Sequence, residues 1–205
     1  MRARLRHEAP SAGLSAGAAR QTMRRMLDLP NLVTLTRLAL TPLAVWAILQ
    51  GRFGRALAIV AVAGATDVLD GLLARWLHSV TRLGAYLDPV ADKVLLSATY
   101  LALGAAGAVP LWVVLVVFGR DVLILALAAA ALLFTSHRSF PPSVWGKIST
   151  LFQIAAAITV LTAGAFPHWE VPVQWPLWAA GAATVWSGLG YVWRAVEVMR
   201  RRVPV

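Results

Sequence analysis

Apolar residues gather in six long runs separated by short polar or turn-forming stretches. A helix crossing about 30 Å of hydrocarbon needs roughly 20 apolar residues. On that ruler the runs at about 31–50, 55–78, 83–103, 110–134, 148–166 and 173–193 each predict a membrane-spanning helix. The separators are Gly51-Arg52-Phe53-Gly54, Val80-Thr81-Arg82, Gly104 to Gly107, Ser136 to Gly146, and Pro167-His168-Trp169-Glu170, all rich in turn residues or charge. Short connections predict antiparallel neighbours. Ahead of the first run, Ala19, Met23, Met26 and Leu27 recur at helical spacing with Arg20, Arg24 and Arg25 off that stripe. This predicts either a short amphipathic helix in the membrane interface or a solvated basic face.

Composition agrees with the pattern. The chain of 205 residues is 59% hydrophobic and 14% charged, with a mean hydropathy of +0.70. Soluble domains carry about 25% charged residues, so a water-soluble fold is excluded. There are no cysteines, which removes disulfides, cysteine-zinc sites and thiol nucleophiles. The basic opening lacks an apolar core of the signal-peptide kind and is expected to remain in the mature protein.

The net charge of +10 changes the picture further, because its placement follows topology. With the N-terminus on the cytoplasmic side, fourteen Lys and Arg residues from Arg2 to Arg202 fall inside, against only Arg52 and Arg55 outside. Trp76, Trp145 and Trp193 fall near inner ends, and Trp46, Trp112, Trp169, Trp175 and Trp178 near outer ends, as interfacial belts require. The expected organisation is a basic arm with an interfacial helix over 1–29, a six-helix all-α membrane domain over 30–196, and a basic cytoplasmic tail over 197–205. No extramembrane domain is foreseen.

The scarce acidic residues are in unexpected places. Asp67, Asp70, Asp88, Asp92 and Asp121 lie inside predicted spans. An Asp at a span centre costs on the order of 2.5–3.5 kcal/mol, so these residues are read as functional. Asp67 and Asp70 are three apart and Asp88 and Asp92 four apart, which puts each pair on one helix face. Counted from the turn near Val80-Thr81, the pairs reach similar depths in the cytoplasmic half of the membrane. Four adjacent carboxylates cannot all stay ionised without a cation. Hard divalent ions suit an all-oxygen donor set, and a pair of them is suited to in-line displacement at phosphorus. A proton or ion pathway and a buried network with arginine partners are the alternatives. Gly71, Ala74 and Gly84 stand one turn from the carboxylates, leaving room for close packing or a flat ligand. Arg75 is placed either to hold phosphate or to snorkel to the interface.

Taken together, Asp67-x2-Asp70-Gly71-x2-Ala74-Arg75-x8-Gly84-x3-Asp88-x3-Asp92 resembles the signature of the CDP-alcohol phosphotransferases at every fixed position. The segments Pro30 to Arg37, Leu87 to Lys93 and Gly146 to Thr150 are similar to the bacterial phosphatidylglycerophosphate synthase and cardiolipin synthase branch. The resemblance covers about residues 28–196. It implies six transmembrane helices, a homodimer in a bacterial inner membrane with both termini cytoplasmic, and transfer of a phosphatidyl group from CDP-diacylglycerol to an alcohol with release of CMP. Carried over by position, Asp67, Asp70, Asp88 and Asp92 would bind two Mg²⁺ or Mn²⁺ ions. Asp92 would also be the general base. Asp70, Gly71, Ala74, Arg75 and Gly84 would take the cytidine nucleotide.

Arg37, Arg120, Arg138 and Lys147 are the candidates for an anionic acceptor pocket. Arg120 has pairing with Asp121 as its simpler explanation, and Arg138 has positive-inside placement. The expected acceptor is glycerol 3-phosphate, with phosphatidylglycerol as the alternative. An ion or proton transporter is the alternative of a different class. No nucleic-acid partner is expected, since the arginines follow membrane topology.

Overall fold

The structure, a computed structural model, describes residues 29–77, 82–134 and 144–200; within these helices it describes no side chains at 29–34, 68–77, 82–89, 128–134, 195–196 and 198–200. The amphipathic helix expected near residue 20, the Val80-Thr81 turn and Arg138 lie outside the described residues.

Six α-helices and no strand are found among the described residues: α1 (Leu29–Leu49), α2 (Phe53–Leu77), α3 (Arg82–Ala105), α4 (Leu111–Phe134), α5 (Val144–Ala165) and α6 (Gln174–Arg200). A single 3-10 turn, Pro167–Trp169, joins α5 to α6. The shortest helix has 21 residues, about 31 Å at 1.5 Å per residue. One helix among the described residues, α5, is long and apolar enough by length and composition to cross a membrane, and α1 contains a shorter apolar stretch, Leu35–Leu49.

Helix ends follow sequence chemistry. Gly51, at φ +68°, closes α1: its N–H bonds the Ile48 carbonyl at 2.9 Å and the Arg52 N–H bonds that of Ala47 at 2.9 Å. Gly107, at φ +71°, ends α3 through the same pair of reversed bonds to Gly104 and Leu103. Two helices outrun the hydrophobic runs that predict them. α5 begins at Val144 rather than near 148, and α6 continues to Arg200 through the position 196/197. Hydropathy marks where apolar solvent would end, whereas backbone hydrogen bonding continues through Arg194 and Glu197, which favour helix.

α1 packs on both α2 and α3, α5 lies along α6, α4 joins α6, and α2 closes against α5. The contact layer is built of small residues: Ala44, Ala47, Ala56, Ala63, Ala156, Ala157 and Ala180 are all buried. Close backbone approach is how helices associate when no water is expelled between them. Gly164 receives the Phe53 ring and Gly181 the edge of Trp112. Large apolar side chains face outward instead, among them Leu115, Leu125, Leu151, Trp175 and Trp193. Exposed apolar surface of that extent marks a face for a membrane or for protein partners. Aromatic pairs sit on it: Trp112 with Trp178 at 4.6 Å, Phe166 stacked on Trp169 at 4.6 Å, and Trp145 edge-on to Trp186 at 6.2 Å.

Candidate active site

Because α1 is packed against both α2 and α3, one of its side chains can reach carboxylates on each. Arg37 does so. It is 1% exposed, and its fork opens across two helices: Nη2 donates to Asp67 Oδ1 on α2 and Nη1 to Asp92 Oδ1 on α3. The carboxylates themselves are open, with side chains 42% and 50% exposed, so the cation is sealed while its anions face a cavity. Arg37 Nε is buried and has no hydrogen-bond partner among the described residues. The Thr41 hydroxyl donates to the Arg37 carbonyl at 2.9 Å, one turn along α1.

A second cluster lies deeper along α3 and α4. Asp121 Oδ1 accepts from Arg120 Nη1 at 2.7 Å and from Lys93 Nζ at 2.5 Å, and Asp121 Oδ2 accepts from Ser97 at 3.3 Å. Arg120 also donates to Ser187 on α6 at 3.2 Å and lies 5.8 Å from the Tyr191 ring centroid. Two cations on one buried carboxylate leave this cluster with a surplus positive charge beside the Arg37 site.

The opposite wall is held by a neutral network. Gln153 Nε2 donates to Thr184 at 2.8 Å and to Ser149 at 3.4 Å, while the Thr184 hydroxyl donates to the Ala180 carbonyl at 2.6 Å. Between the walls lies a cavity of about 460 Å³ lined by Arg37, Asp67, Asp92, Lys93 and Asp121 on one side and by Thr150 and Gln153 on the other. Apolar residues such as Val60, Leu96 and Ile154 complete it. Volumes of this order suit small-molecule and cofactor sites.

The structure brings Asp67 and Asp92 together. Asp70 stands one turn further along α2 and Asp88 one turn before Asp92 on α3, but their side chains, with those of Gly71, Ala74, Arg75 and Gly84, lie outside the described ones. Among the described residues no three His, Asp or Glu side chains gather as a metal cluster. Asp67 and Asp92 nevertheless present oxygen atoms from two helices to one shared cation, a donor set that fits a hard divalent ion. Of the acceptor candidates, Arg37 is bound to these carboxylates, Arg120 pairs with Asp121, and Lys147 is exposed on α5 and does not line the cavity. Thr150 belongs to the segment Gly146 to Thr150 that carries the resemblance but was not a site candidate, and Gln153 was not singled out at all. The signal available for them is the spacing Ser149-Thr150-x2-Gln153, polar positions inside an otherwise apolar run.

An all-helical bundle with paired carboxylates at the wall of a largely apolar cavity defines a class that known proteins identify. Residues 27–186 match the family model described as CDP-alcohol phosphatidyltransferase, and the chain belongs to that family. It is an enzyme, a transferase of phospholipid biosynthesis in a family that joins a CDP-alcohol donor to an alcohol acceptor. Membership selects a transferase over the ion or proton transporter as the class of this chain.

Named relatives narrow the comparison. The cardiolipin synthase (CMP-forming) of Rattus norvegicus is 30% identical over 217 residues, 94% of this chain and 70% of that protein. The cardiolipin synthase (CMP-forming) of Streptomyces coelicolor is 33% identical over 192 residues, covering 87% of each chain. A Mycobacterium tuberculosis protein called "probable phosphatidylglycerophosphate synthase" is 34% identical over 196 residues, 92% of this chain and 88% of that one.

Proposed function

We propose that this chain transfers a phosphatidyl group from CDP-diacylglycerol to a hydroxyl of phosphatidylglycerol, releasing CMP and forming cardiolipin. The observation that carries the chemistry is the convergence of Asp67 and Asp92 on one cation at the cavity wall. Phosphatidylglycerol is the alternative acceptor of the sequence reading, taken here ahead of glycerol 3-phosphate. Two features support a lipid acceptor: the relatives named cardiolipin synthase, and a cavity lined mostly by apolar residues such as Val60, Leu96 and Ile154. Glycerol 3-phosphate remains the second reading, supported by the mycobacterial relative.

In this proposal the helices α1 to α6 are six membrane spans with both termini cytoplasmic, in a bacterial inner membrane. Residues 1–29 form an arm, 30–196 the catalytic domain and 197–205 a tail, and the enzyme works as a homodimer. Asp67, Asp70, Asp88 and Asp92 hold two divalent ions, Mg²⁺ or Mn²⁺. When bound, these neutralise the charge that builds on the diphosphate and the leaving CMP. Asp92, at the cavity edge, takes the proton of the attacking hydroxyl. Asp70, Gly71, Ala74, Arg75 and Gly84 receive the nucleotide, and Lys93, fixed by Asp121, supplies positive potential beside Asp92. The apolar lining keeps water from competing with the acceptor hydroxyl.

The test offers purified protein CDP-diacylglycerol with Mg²⁺, together with phosphatidylglycerol, glycerol 3-phosphate, inositol phosphate or serine, and identifies the lipid product by mass. Cardiolipin with stoichiometric CMP is expected, and both should vanish in Asp92→Asn and with chelator. Phosphatidylglycerophosphate as the product would transfer the assignment to the second reading. Turnover indifferent to chelator and to Asp92→Asn would overturn the site.

A further inference from the structure

Arg37 and a divalent ion address the same two atoms. The guanidinium is bonded to Oδ1 of Asp67 and Oδ1 of Asp92, the two described carboxylates that the proposed function assigns to metal. Charge decides which cation holds them more strongly. One guanidinium cancels one of two negative charges, whereas a divalent ion cancels both, and Asp70 and Asp88 add further negative charge one turn away. The bridged arrangement also leaves something undone, because the buried Nε of Arg37 has no acceptor among the described residues. A buried donor left unpaired is destabilising, so the side chain is not in its best hydrogen-bonded position while it spans the carboxylates.

We propose that Arg37 is a resident counter-cation of this site, exchanged for the divalent ion when Asp67 and Asp92 take up metal. It is a positioning residue. Before loading, the fork holds α2 and α3 at the spacing the ligands need and suppresses carboxylate repulsion; on loading, it withdraws from both Oδ1 atoms. This rests on the reading of Asp67 and Asp92 as metal ligands, and it predicts an antagonism between one arginine and the metal that a purely structural Arg37 would not produce.

The experiment is a Mg²⁺ titration of detergent-solubilised protein carrying ¹⁵N-arginine, followed by the Arg37 Nε–H resonance and, in parallel, by calorimetry. Arg37→Lys removes that resonance and so assigns it. The Arg37 signal is expected to move along the calorimetric binding curve, while that of Arg120, paired with Asp121, stays fixed. In Arg37→Gln, removal of a positive charge beside the ion should tighten Mg²⁺ binding about tenfold or more. An Arg37 resonance unmoved at Mg²⁺ saturation, or weaker Mg²⁺ binding in a folded Arg37→Gln, would overturn the exchange. If Arg37→Gln does not fold, the wild-type resonance alone decides. Absence of Mg²⁺ binding to wild type and to Asp67→Asn and Asp92→Asn alike would instead overturn the metal reading beneath it.

Discussion

Tyr100 on α3 donates its hydroxyl hydrogen to the main-chain carbonyl of Gln153 on α5 at 2.8 Å, with both residues buried. The bond ties the helix that carries Asp92 to the helix that forms the far wall of the cavity. The two walls are therefore fastened to each other one level below the chemistry, and substitutions here separate rigidity of the cavity from reactivity of its carboxylates.

Tyr100→Phe keeps the ring and removes only the hydroxyl. The Gln153 carbonyl is in mid-helix and retains its backbone partner, so nothing is orphaned and the expected cost is about 1 kcal/mol. For a chain of this size that lowers the unfolding midpoint by about 2–4 °C. Thermal unfolding in detergent measures it, with CMP release at low temperature nearly unchanged.

Thr184→Val, which likewise removes a single hydroxyl, is expected to cost more. Thr184 accepts from Gln153 and contacts Ser149 at 3.2 Å, and its loss strips a buried amide of its nearest acceptor. Such an unsatisfied group costs about 1–3 kcal/mol. Because Gln153 lines the cavity, the KM for the acceptor should rise in the same variant, which steady-state kinetics would reveal.

Asp121→Asn should be the most destabilising of these changes. Asp121 is the shared counter-charge of Arg120 and Lys93, and the neutral amide leaves Arg120 buried without one. Breaking a buried pair from one side costs about 3–5 kcal/mol. A strongly lowered unfolding midpoint, or failure to extract folded protein, is the expected result; a midpoint within about 2 °C of wild type would show that Arg120 is stabilised elsewhere.

Gly164→Ala and Gly181→Ala distinguish two kinds of crowding. A Cβ at 164 would lie 2.6 Å from Phe53 Cγ and 3.0 Å from its Cβ, so turning the ring does not relieve it. At 181 it would meet the outer edge of Trp112 at 2.6 Å, which can swing at the expense of its contact with Trp178. Overpacking typically costs about 1–3 kcal/mol, and the loss at 164 should exceed that at 181 when the two midpoints are compared.

Much of this architecture was legible in the residues. Six helices follow from six apolar runs, and Asp67 and Asp92 stand out because an uncompensated acid in such a run needs a reason. What remained hidden was pairing between helices. Arg37 is a single charge in an apolar run, and sequence gives no direction to its side chain, so it read as a candidate for an anionic acceptor; packing of α1 against both α2 and α3 gives it to the carboxylates. Gln153 was hidden for a different cause. An uncharged side chain costs little to bury when hydrogen-bonded, so its presence in an apolar run raises no alarm. The simpler reading of Arg120, pairing with its neighbour Asp121, is the one the fold realises.

The position of α1 between two acid-bearing helices also bears on how the protein is made. In the proposed membrane topology, α1 is made before α2 and α3 and carries Arg37 into the bilayer ahead of Asp67 and Asp92. When α2 follows, Asp67 meets a cation already in place, and the expense of inserting an acid, on the order of 2.5–3.5 kcal/mol, is met by a neighbour rather than by lipid. Asp92 then arrives at the remaining arm of the same fork. Chain order thus lets each helix prepare the membrane for the next, and the enzyme's polar centre is assembled during insertion.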